Sequence, residues 1–314
     1  MSASPSVALA GATGSLGSAV LKELLAARVS VTILSRKGSK SAAKLLANPN
    51  HIVKEVDYSV EEDVTAALAG IDVVVSTLAT ESISTQSTLI NAAIAARVKR
   101  FIPSEFGCDT ANLRARRMPV YAQKVQIQDT LVEKARQNTT FSYTFMFNGA
   151  FLDWGIQVGF LMNAKHHTAT LYDGGNEPFS ATRLSTVGKA VVGILKNLEV
   201  TKNRGVYFHD AVVTQNDLIA IARKMDPQEW MTTFASTAQI EAAGYEELGK
   251  EVPDISTAML GFIARAVWGE GYGGDFTGRV DNELLGLPVL TKTEVEEAVK
   301  SALAAVPAEN SVQL

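Results

Sequence analysis

Three glycines near the start of the chain have the spacing of a phosphate-binding turn. Residues 7–17 read VALAGATGSLG, so a short apolar run leads into Gly11, Gly14 and Gly17, and a helical pattern follows. A strand that turns tightly into a helix leaves the first N–H groups of the helix unpaired, and these groups favour an anion. In such a turn Gly11 allows the bend, Gly14 lets the backbone approach a pyrophosphate, and Gly17 lets the helix lie close to the strand. We therefore expect a dinucleotide-binding turn; a glycine-rich turn without a ligand is the alternative. The turn residues expected to contact the cofactor are Gly11, Thr13, Gly14, Ser15, Leu16 and Gly17.

Basic residues at the end of the second predicted strand indicate which dinucleotide would bind. This strand, VTIL at residues 31–34, ends about twenty residues past the glycines, where an acidic residue would hold the ribose 2′-OH of NAD. The chain has Ser35, Arg36 and Lys37 there, with Lys40 close behind. A guanidinium fork and ammonium groups suit a 2′-phosphate, so we expect NADP(H) to bind through Arg36, Lys37 and Lys40. The alternative is a solvated basic loop.

The pattern of residues around Lys124 allows two interpretations, proton transfer and a structural role. In the helical pattern of residues 120–137, Val120, Lys124, Ile127 and Leu131 fall on one stripe, so the lysine shares a face with apolar residues. Desolvation favours the neutral amine and suits a lysine to general acid–base work near neutral pH. The alternative is a lysine whose stem packs along the core while its ammonium group stays in water.

The elements that must position these residues alternate regularly over the first 150 residues. The predicted strands are residues 7–10, 31–34, 52–56, 71–76, 100–103 and 141–147, and the predicted helices are residues 15–27, 39–47, 61–69, 85–96 and 120–137. Continuous β-branched runs such as IDVVVS are typical of strands buried on both faces, in a parallel sheet with helices on either side. The expected fold class is α/β, a doubly wound parallel Rossmann-type sheet whose ligand crevice lies at the carboxyl ends of the strands.

The second half of the chain is less regular. Strand patterns occur at residues 168–172, 206–209 and 212–213, and helical patterns occur at residues 187–196, 215–224, 255–266 and 293–305. Asn216-Asp217 and the Thr291–Glu294 pair are candidate helix caps. The glycine-rich run WGEGYGGDF at residues 268–276 predicts a surface loop, with an active-site lid as the alternative. We expect an NADP-binding Rossmann domain at residues 1–155 and a smaller, irregular substrate-binding lobe at residues 156–314, interwoven with the first.

Composition and charge argue against several classes of protein. With 29 Lys and Arg against 33 Asp and Glu, the net charge of −4 is unlike that of a nucleic-acid-binding protein. The most apolar window, residues 141–162, is too interrupted by polar residues for a membrane span. The single cysteine, Cys108, excludes a disulfide framework within the chain, and the four histidines lack ligand spacing, so no metal is expected. We expect Cys108 to be a packed thiol rather than a nucleophile, and the protein to be cytoplasmic.

Five segments together resemble a known family. GATGSLG, SRKGSK, STLA, RFIPSEFGCD and YAQKVQIQDTL occur in this order within residues 1–155. The most specific block, KRFIPSEFG at residues 99–107, is similar to the KRFxPSEFG signature of the isoflavone reductase-like, NmrA-like branch of atypical short-chain dehydrogenases. The resemblance implies that the lysine after the PSEFG segment, Lys124 here, lies beside the nicotinamide and is the catalytic residue.

The strand ends extend the expected cofactor site. Ser76, Thr77 and Leu78 end the fourth strand and are expected to flank the ribose and nicotinamide, and Asp57 ends the third strand near the adenine. Phe106 is expected to pack on the nicotinamide. The residues expected at the ends of the fifth and sixth strands are Pro103, Ser104, Glu105, Phe106, Phe147 and Asn148, the last two bordering the substrate.

Two features depart from related patterns. Tyr121 and Lys124 are one residue too close for the Tyr-x-x-x-Lys pair of classical short-chain dehydrogenases, so they are not that pair. Ser185 or Thr186 stands where the family often has an acidic residue before its helix, an exchange that is neutral for a helix cap. The second departure indicates a divergent member, so analogy identifies the substrate only weakly.

The expected activity is the NADPH-dependent reduction of a small, aromatic or polyketide-like secondary metabolite at a C=O, C=C or benzylic centre. Lys124 would be the general acid or base, and the fold would orient the cofactor. One alternative is an NADP-binding redox sensor that acts through a protein partner without catalysis. Another is a non-redox cyclase or isomerase that keeps the cofactor as a scaffold. The sequence leaves the substrate, the stereochemistry and the oligomeric state open.

Overall fold

The computed structural model describes residues 4–39, 51–226 and 228–306, which form an α/β fold. The strands are β1 (Val7–Ala10), β2 (Val31–Arg36), β3 (Ile52–Val56), β4 (Val73–Ser76), β5 (Arg100–Ile102), β6 (Ser142–Phe147), β7 (Ala150–Phe151), β8 (Thr168–Tyr172), β9 (Phe179–Thr182), β10 (Arg204–Tyr207), β11 (Ala211–Val213) and β12 (Met231–Ala235). The α-helices are α1 (Ser15–Ala26), α2 (Glu61–Ala67), α3 (Gln86–Ala95), α4 (Leu113–Arg116), α5 (Ala122–Gln137), α6 (Leu152–Gln157), α7 (Leu184–Lys196), α8 (Gln215–Met225), α9 (Thr237–Leu248), α10 (Ile255–Trp268), α11 (Asn282–Leu285) and α12 (Lys292–Ala304). Short 3-10 helices occupy Thr80–Thr85, Pro119–Tyr121 and Asp173–Gly175.

The central sheet confirms the predicted doubly wound architecture. Its seven described strands hydrogen-bond in the order β3-β2-β1-β4-β5-β6-β10. Every neighbouring pair in it is parallel. Ala10, the last residue of β1, lies opposite Leu34 and Ser76, so the three central strands end nearly level. The strand order reverses between β1 and β4, and a crevice for a ligand opens at such a point.

Both faces of the sheet are covered by helices. In β1, Val7 and Leu9 lie in the hydrophobic cluster that includes residues of α1 and α7. Ala8 and Ala10 lie in the opposite cluster, with residues of α2, α3 and α5. Successive side chains of a strand point to opposite faces, so a strand between two helical layers is apolar throughout, as the sequence of β1 indicated.

Two smaller sheets and the remaining helices form a second packed region. The strands pair in the orders β11-β9-β7 and β12-β8, and a separate hydrophobic cluster joins them to α6, α8 and α12. Helices α9 and α10 pack against each other, and α10 also packs on the segment Pro119–Tyr121 that precedes α5. No helix in the described ranges is long and apolar enough to cross a membrane.

Residues after 156 also contribute to the large sheet. Strand β10 pairs with β6 along its whole length, and α7 packs against α1. The buried guanidinium of Arg100 links the segment before β10 to the large sheet. It donates to Ser142 and Thr144 of β6 and to the Leu198 carbonyl and Thr201 hydroxyl before β10. Burial lowers the pKa of Arg100 to about 10.

Several local predictions met different outcomes. Strands β1, β3 and β8 have the predicted bounds, and the capping box between Thr291 and Glu294 is present at α12. Most of the predicted helix at 39–47 lies outside the described residues. The prediction that Ser185 or Thr186 caps α7 is wrong, because α7 begins at Leu184, whose N–H donates to Asp153 at 3.1 Å.

Two further expectations are corrected by the structure, one by local capping and one by packing. The cap of α8 is Thr214, which forms a capping box with Asp217, rather than Asn216. The run at residues 268–276 is anchored instead of forming a free surface loop, because Trp268, Tyr272 and Phe276 are buried. Aromatic side chains in a glycine-rich run thus supply core contacts that composition alone did not indicate.

Candidate functional site

The three glycines of the first turn have three different surroundings. Gly11 has a φ of +85°, and a Cβ there would lie 2.6 Å from the Thr77 carbonyl oxygen. A Cβ on Gly17 would lie 2.0 Å from the Gly11 carbonyl oxygen, so only glycine permits α1 to lie this close to the turn. At Gly14 the nearest atom to a Cβ would be 3.7 Å away, an ordinary contact. Packing within the protein therefore requires glycine at positions 11 and 17, but not at Gly14.

The N-terminus of α1 is left without a side-chain cap. Gly14 is the N-cap residue, its backbone is extended, and the first turn carries no acidic residue. By contrast, α8 and α12 each begin with a capping box. The first N–H groups of a helix have no partner within the helix, and they attract an anion together with the helix dipole. The turn therefore fits a diphosphate, with Gly14 leaving room for its approach.

The basic residues after β2 are arranged differently from one another. Arg36 is exposed, and its guanidinium makes no hydrogen bond to any residue in the described ranges. The Lys37 ammonium group instead lies 2.7 Å from a carboxylate oxygen of Asp63, which raises the pKa of Lys37. Lys40 lies outside the described residues. Arg36 is thus the described cation at this position that is available for a phosphate.

Asp57 is held in a turn between β3 and α2. Its carboxylate accepts hydrogen bonds from the N–H and hydroxyl of Ser59 at 2.9 and 2.6 Å, and these bonds lower the pKa of Asp57. The N–H of Asp57 donates to Asp63, the partner of Lys37. Asp57 and Lys37 are thereby joined through Asp63 at one corner of the strand ends.

Hydrogen bonds between neighbouring strand ends shape the floor of the crevice. The Thr77 hydroxyl donates to the Ala10 carbonyl at 2.8 Å, directly beneath the glycine turn. The Ser104 hydroxyl donates to the Leu78 carbonyl at 2.7 Å, and the Ser104 N–H donates to the Gln86 side chain at 2.8 Å. These bonds hold the ends of β1, β4 and β5 in register, so the two hydroxyls are already engaged with the backbone.

Lys124 and Glu105 are brought together at the end of β5. Lys124 is half-buried in the first turn of α5, and its ammonium group donates to the main-chain carbonyl of Glu105. The Glu105 side chain is 2% exposed and accepts a hydrogen bond from the Thr110 hydroxyl at 2.8 Å. Burial raises the pKa of Glu105, while the nearby charge of Lys124 opposes that rise. The apolar stripe predicted for this helix is present at Ile127 and Leu131, which are buried.

Tyr121 and Cys108 pack in the same hydrophobic cluster at the start of α5. The Tyr121 hydroxyl is buried and lies against the Cys108 thiol, without a hydrogen bond of standard geometry. Burial raises the pKa of both groups. Cys108 packs against two hydrophobic clusters, in agreement with the expected packed thiol.

Two polar atoms at the strand ends are buried without a partner among the described residues. They are the Ser76 hydroxyl oxygen at the end of β4 and the Asn148 side-chain oxygen after β6. The Asn148 amide nitrogen is satisfied, because it donates to the Gly149 carbonyl at 3.0 Å. Buried polar groups in native proteins are nearly always paired, so these atoms fit a ligand that supplies the partners.

Phe106 and Phe147 lie deeper than the sequence suggested. Phe106 is buried in the cluster beneath α1 and α7. Phe147 is fully covered, with its ring 4.9 Å from that of Tyr207. Pro103 precedes Ser104 and is also buried. Both aromatic rings therefore serve the core beneath the crevice, and their backbones lie at its edge.

Sequence reasoning missed two residues that support the Glu105–Lys124 pair. Gln128 is 4% exposed and donates to the Thr110 hydroxyl at 2.5 Å, next to Glu105. Gln128 follows Lys124 by four residues and therefore shares its helix face, which was the available signal. No sequence signal linked Thr110 to Glu105.

A separate cavity of about 520 Å³ lies between α6 and α12. Its lining includes Asp153, Arg183 and Glu294, which do not belong to the strand-end crevice. Arg183 pairs with Asp210 at 2.9 Å, and Asp153 accepts the first N–H of α7. These polar groups are already used by the fold, so the cavity is not assigned to the candidate site.

Comparisons with known proteins identify the family and the fold. A model of the NmrA-like family matches residues 4–243. The sequence is 37% identical to the oxidoreductase aprR of Aspergillus flavus over 95% of this chain and 98% of that protein. It is 26% identical to the bifunctional pinoresinol-lariciresinol reductase of Linum perenne, over 76% of this chain and 84% of that protein. The fold matches a binary complex of leucoanthocyanidin reductase with NADPH from Vitis vinifera with a TM-score of 0.77 and 24% identity, over 95% and 99% of the two chains. The chain therefore belongs to the NmrA-like family.

Proposed function

We propose that this chain is an NADPH-dependent reductase of a small, aromatic or polyketide-like secondary metabolite, with Lys124 as the general acid or base. The observation that carries the proposal is the placement of the Lys124 ammonium group on the Glu105 carbonyl, at the strand ends that also carry the uncapped glycine turn. An ionisable amine next to a dinucleotide site is the arrangement that a coupled hydride and proton transfer requires.

The chain's own residues would hold the cofactor at two points. The Gly14 turn and the first N–H groups of α1 would bind the diphosphate, and Arg36 would bind the 2′-phosphate of the adenosine ribose. NADPH supplies the hydride when it is bound. The similarity to the oxidoreductase aprR and to a leucoanthocyanidin reductase solved with NADPH supports the choice of cofactor.

Lys124 retains donors for a substrate. An ammonium group has three N–H donors, and one of them is used by the Glu105 carbonyl. The remaining donors can give a proton to an oxygen of the substrate, directly or through a ribose hydroxyl or a water. The carbonyl contact fixes where the ammonium group lies, which limits the conformations it must lose in the transition state.

The substitution Lys124→Met tests this role. It keeps most of the side-chain volume and removes the proton, so turnover should fall by about 10²–10⁴-fold while NADPH affinity changes only modestly. The assay is NADPH oxidation followed by absorbance with a panel of aromatic ketones and enones, and calorimetry gives the affinity. Lys134→Met, the same change on the same helix, is the matched control and should retain full turnover.

Two results would contradict the proposal. A folded Lys124→Met variant that turns over near the wild-type rate would show that Lys124 is not the proton donor. NADPH binding without oxidation by any acceptor in the panel would instead favour the sensor or the scaffold function.

A further inference from the structure

His209 lies two residues after β10, at the edge of the large sheet where its strands end. The pairing of β10 with β6 continues up to the residue before it, since the Phe208 N–H donates to the Phe147 carbonyl at 3.1 Å. The His209 main chain is held by the side chain of Asn282, whose amide oxygen accepts the His209 N–H at 3.2 Å and whose amide nitrogen donates to the His209 carbonyl at 2.8 Å. The backbone of His209 is therefore fixed beside the end of β6.

One nitrogen of the His209 ring is bonded to a buried serine. Nδ1 lies 2.9 Å from the Ser180 hydroxyl oxygen, and that oxygen also accepts the Phe276 N–H at 2.9 Å. Ser180 is 0% exposed, and within the described ranges Nδ1 is the acceptor that its hydroxyl proton can reach. Buried hydroxyl groups are nearly always paired, so Ser180 donates to Nδ1. A ring nitrogen that accepts carries no proton, and the proton of the neutral ring is therefore on Nε2.

The second ring nitrogen, Nε2, is left without an acceptor. No residue described in the structure accepts a hydrogen bond from it, and it is not among the sealed polar atoms that lack a partner, so it faces open space. The side chain as a whole is 5% exposed. A neutral N–H donor with so little access to bulk water is suited to bind an oxygen atom of a ligand.

This donor lies on the sheet face that α5, the helix of Lys124, covers. In β10, Tyr207 packs against the hydrophobic cluster that contains Phe276 and residues of α5. Side chains two residues apart on a strand share a face, which puts His209 on the face of Tyr207. Ser180 also connects His209 to Phe276 of the same cluster. Lys124 lies in the first turn of α5.

Contacts across the end of β6 connect the two regions. The Gly107 carbonyl, two residues after Glu105, accepts the Gly149 N–H at 3.0 Å. Gly149 in turn lies against Ser180, because a Cβ on Gly149 would be 2.1 Å from the Ser180 carbonyl oxygen. The segment whose carbonyl holds the Lys124 ammonium group and the Ser180–His209 pair thus border the crevice on two sides of β6.

The surroundings of His209 favour a neutral oxygen over an anion. Burial lowers the pKa of His209, so its ring is uncharged at neutral pH. The carboxylates of Asp275 and Asp210 act on the ring electrostatically, and Asp210 is paired with Arg183. The charge of Asp275 would repel a carboxylate or a phosphate placed at Nε2. A carbonyl or hydroxyl oxygen meets no such repulsion.

We propose that His209 is a substrate-binding residue whose Nε2–H donates to a second oxygen of the substrate, while Lys124 serves the oxygen at the reacting carbon. The preferred substrates are then neutral aromatic compounds with two oxygen functions, such as quinones and hydroxyketones. The part assigned to Lys124 rests on the proposed function, whereas the binding role of His209 does not.

NMR spectroscopy of the full chain labelled with 15N-histidine tests the donor directly. The chain has four histidines, and His209→Gln identifies the signals of His209. In the complex with NADP+ at about pH 8, where histidines are neutral, His209 should carry its proton on Nε2. Addition of 9,10-phenanthrenequinone should shift the Nε2 signal, and no hydride is available from NADP+ to reduce the quinone. A proton on Nδ1, or an Nε2 signal that the quinone does not shift, overturns the proposal.

Two substitutions separate the donor from packing. The amide oxygen of asparagine can replace Nδ1 as the acceptor for Ser180 but leaves no donor at Nε2, whereas glutamine can present an N–H near Nε2. With NADP+ bound, His209→Asn should raise the Kd of 9,10-phenanthrenequinone by about 3–10-fold, the loss of one neutral hydrogen bond, and His209→Gln should retain most of the affinity. Quenching of tryptophan fluorescence gives the Kd. His166→Asn, the same change at an exposed site, is the matched control.

A ketone with one oxygen provides the comparison. 9-Fluorenone, also tricyclic, should lose less affinity than the quinone in His209→Asn, because it has no second oxygen to bind. Equal losses for the two ketones would identify a packing effect and overturn the proposal. An unchanged Kd for the quinone in folded His209→Asn overturns it as well, and so does a failure of the quinone to bind the wild type. If His209→Asn does not fold, the NMR experiment on the wild type decides.

The outcomes also separate this proposal from the proposed function. Quinone affinity that depends on His209, combined with no oxidation of NADPH by the quinone, supports the binding role and refutes the reductase. NADPH oxidation that requires Lys124 but proceeds with unchanged quinone affinity in His209→Asn supports the reductase and refutes the role of His209.

Discussion

The substitution Gly14→Ala should strongly weaken dinucleotide binding and leave the fold intact. The added Cβ would meet its nearest atom, the Gly11 carbonyl oxygen, at 3.7 Å, and the backbone at φ −74° and ψ 169° is open to alanine. Two small stability terms oppose each other here. Alanine restricts the unfolded chain more than glycine does, which raises the free energy of unfolding by about 0.4–1 kcal/mol. Alanine is also a poorer N-cap than glycine, which lowers the free energy of unfolding by a similar amount. The free energy of unfolding should therefore change by less than about 1 kcal/mol.

Binding should respond far more strongly than stability. The methyl group would occupy the space through which a diphosphate reaches the first N–H groups of α1. Each charge-assisted hydrogen bond contributes about 1.5–3 kcal/mol, so the loss of two raises the Kd for NADPH by about 10²–10⁴-fold. Isothermal titration calorimetry measures the affinity, and urea unfolding measures the stability.

Gly17→Ala provides the contrast. Its Cβ would lie 2.0 Å from the Gly11 carbonyl oxygen and 2.8 Å from the Thr77 hydroxyl oxygen, so α1 must move away from the turn. Overpacking of this kind costs about 1–3 kcal/mol or more. Wild-type NADPH affinity in Gly14→Ala would place the diphosphate elsewhere. Wild-type stability in Gly17→Ala would refute the close approach of helix and turn.

Three further predictions follow from contacts described above. Arg36→Ala should weaken NADPH binding at least about tenfold by calorimetry and leave NADH binding unchanged, because its guanidinium has no hydrogen-bond partner among the described residues and can bind a 2′-phosphate. Lys37→Ala should weaken NADPH binding less, since Asp63 already holds that ammonium group. Equal losses for both nucleotides would contradict the assignment. Tyr121→Phe should leave the free energy of unfolding unchanged or raise it, because the hydroxyl has no partner of standard geometry; a loss above about 1 kcal/mol in urea unfolding would reveal a hidden bond. Burial lowers the pKa of His209 below its ordinary value of 6.5, so as the pH falls the unfolded chain takes up this proton first and the protein loses stability. Urea unfolding should therefore show that His209→Gln loses less free energy of unfolding than the wild type between about pH 7.5 and about pH 5.5. An equal loss in both proteins would exclude His209 as its source.

The features that the sequence predicted well depend on local geometry. The roles of Gly11 and Gly17 follow from the strand–turn–helix spacing, and the structure shows the same close approaches. The buried strands were recognised because a strand between two helical layers is apolar on both faces. Lys124 was identified by the resemblance of the PSEFG segment, its catalytic role stays a prediction, and the structure shows Ile127 and Leu131 buried on the same helix.

The features that the sequence did not predict depend on distant contacts. Phe106 and Phe147 follow strand ends as expected, but their side chains point into the core, since the face a residue presents depends on the layers packed around it. The bond from Lys124 to the Glu105 carbonyl joins two named residues through a main-chain atom, which carries no sequence signal. Strand β9, the sequence FSAT, is buried because it pairs with strands of the smaller sheet. Its four residues alone were not enough to predict it.

The return of the chain to the large sheet through β10 limits how specificity can be transferred between relatives. A chimera that exchanged everything after residue 156 would replace the strand that covers the edge of β6 and the partners of the buried Arg100. A replacement strand that does not match β6 and Arg100 would leave this edge poorly covered. Because uncovered edges pair with other chains, such hybrids should aggregate before their substrate preference could be measured. Grafts that keep residues 184–207 and exchange only the segments around them leave the edge closed. In this fold, substrate preference therefore cannot be exchanged by swapping everything after residue 156 as one unit.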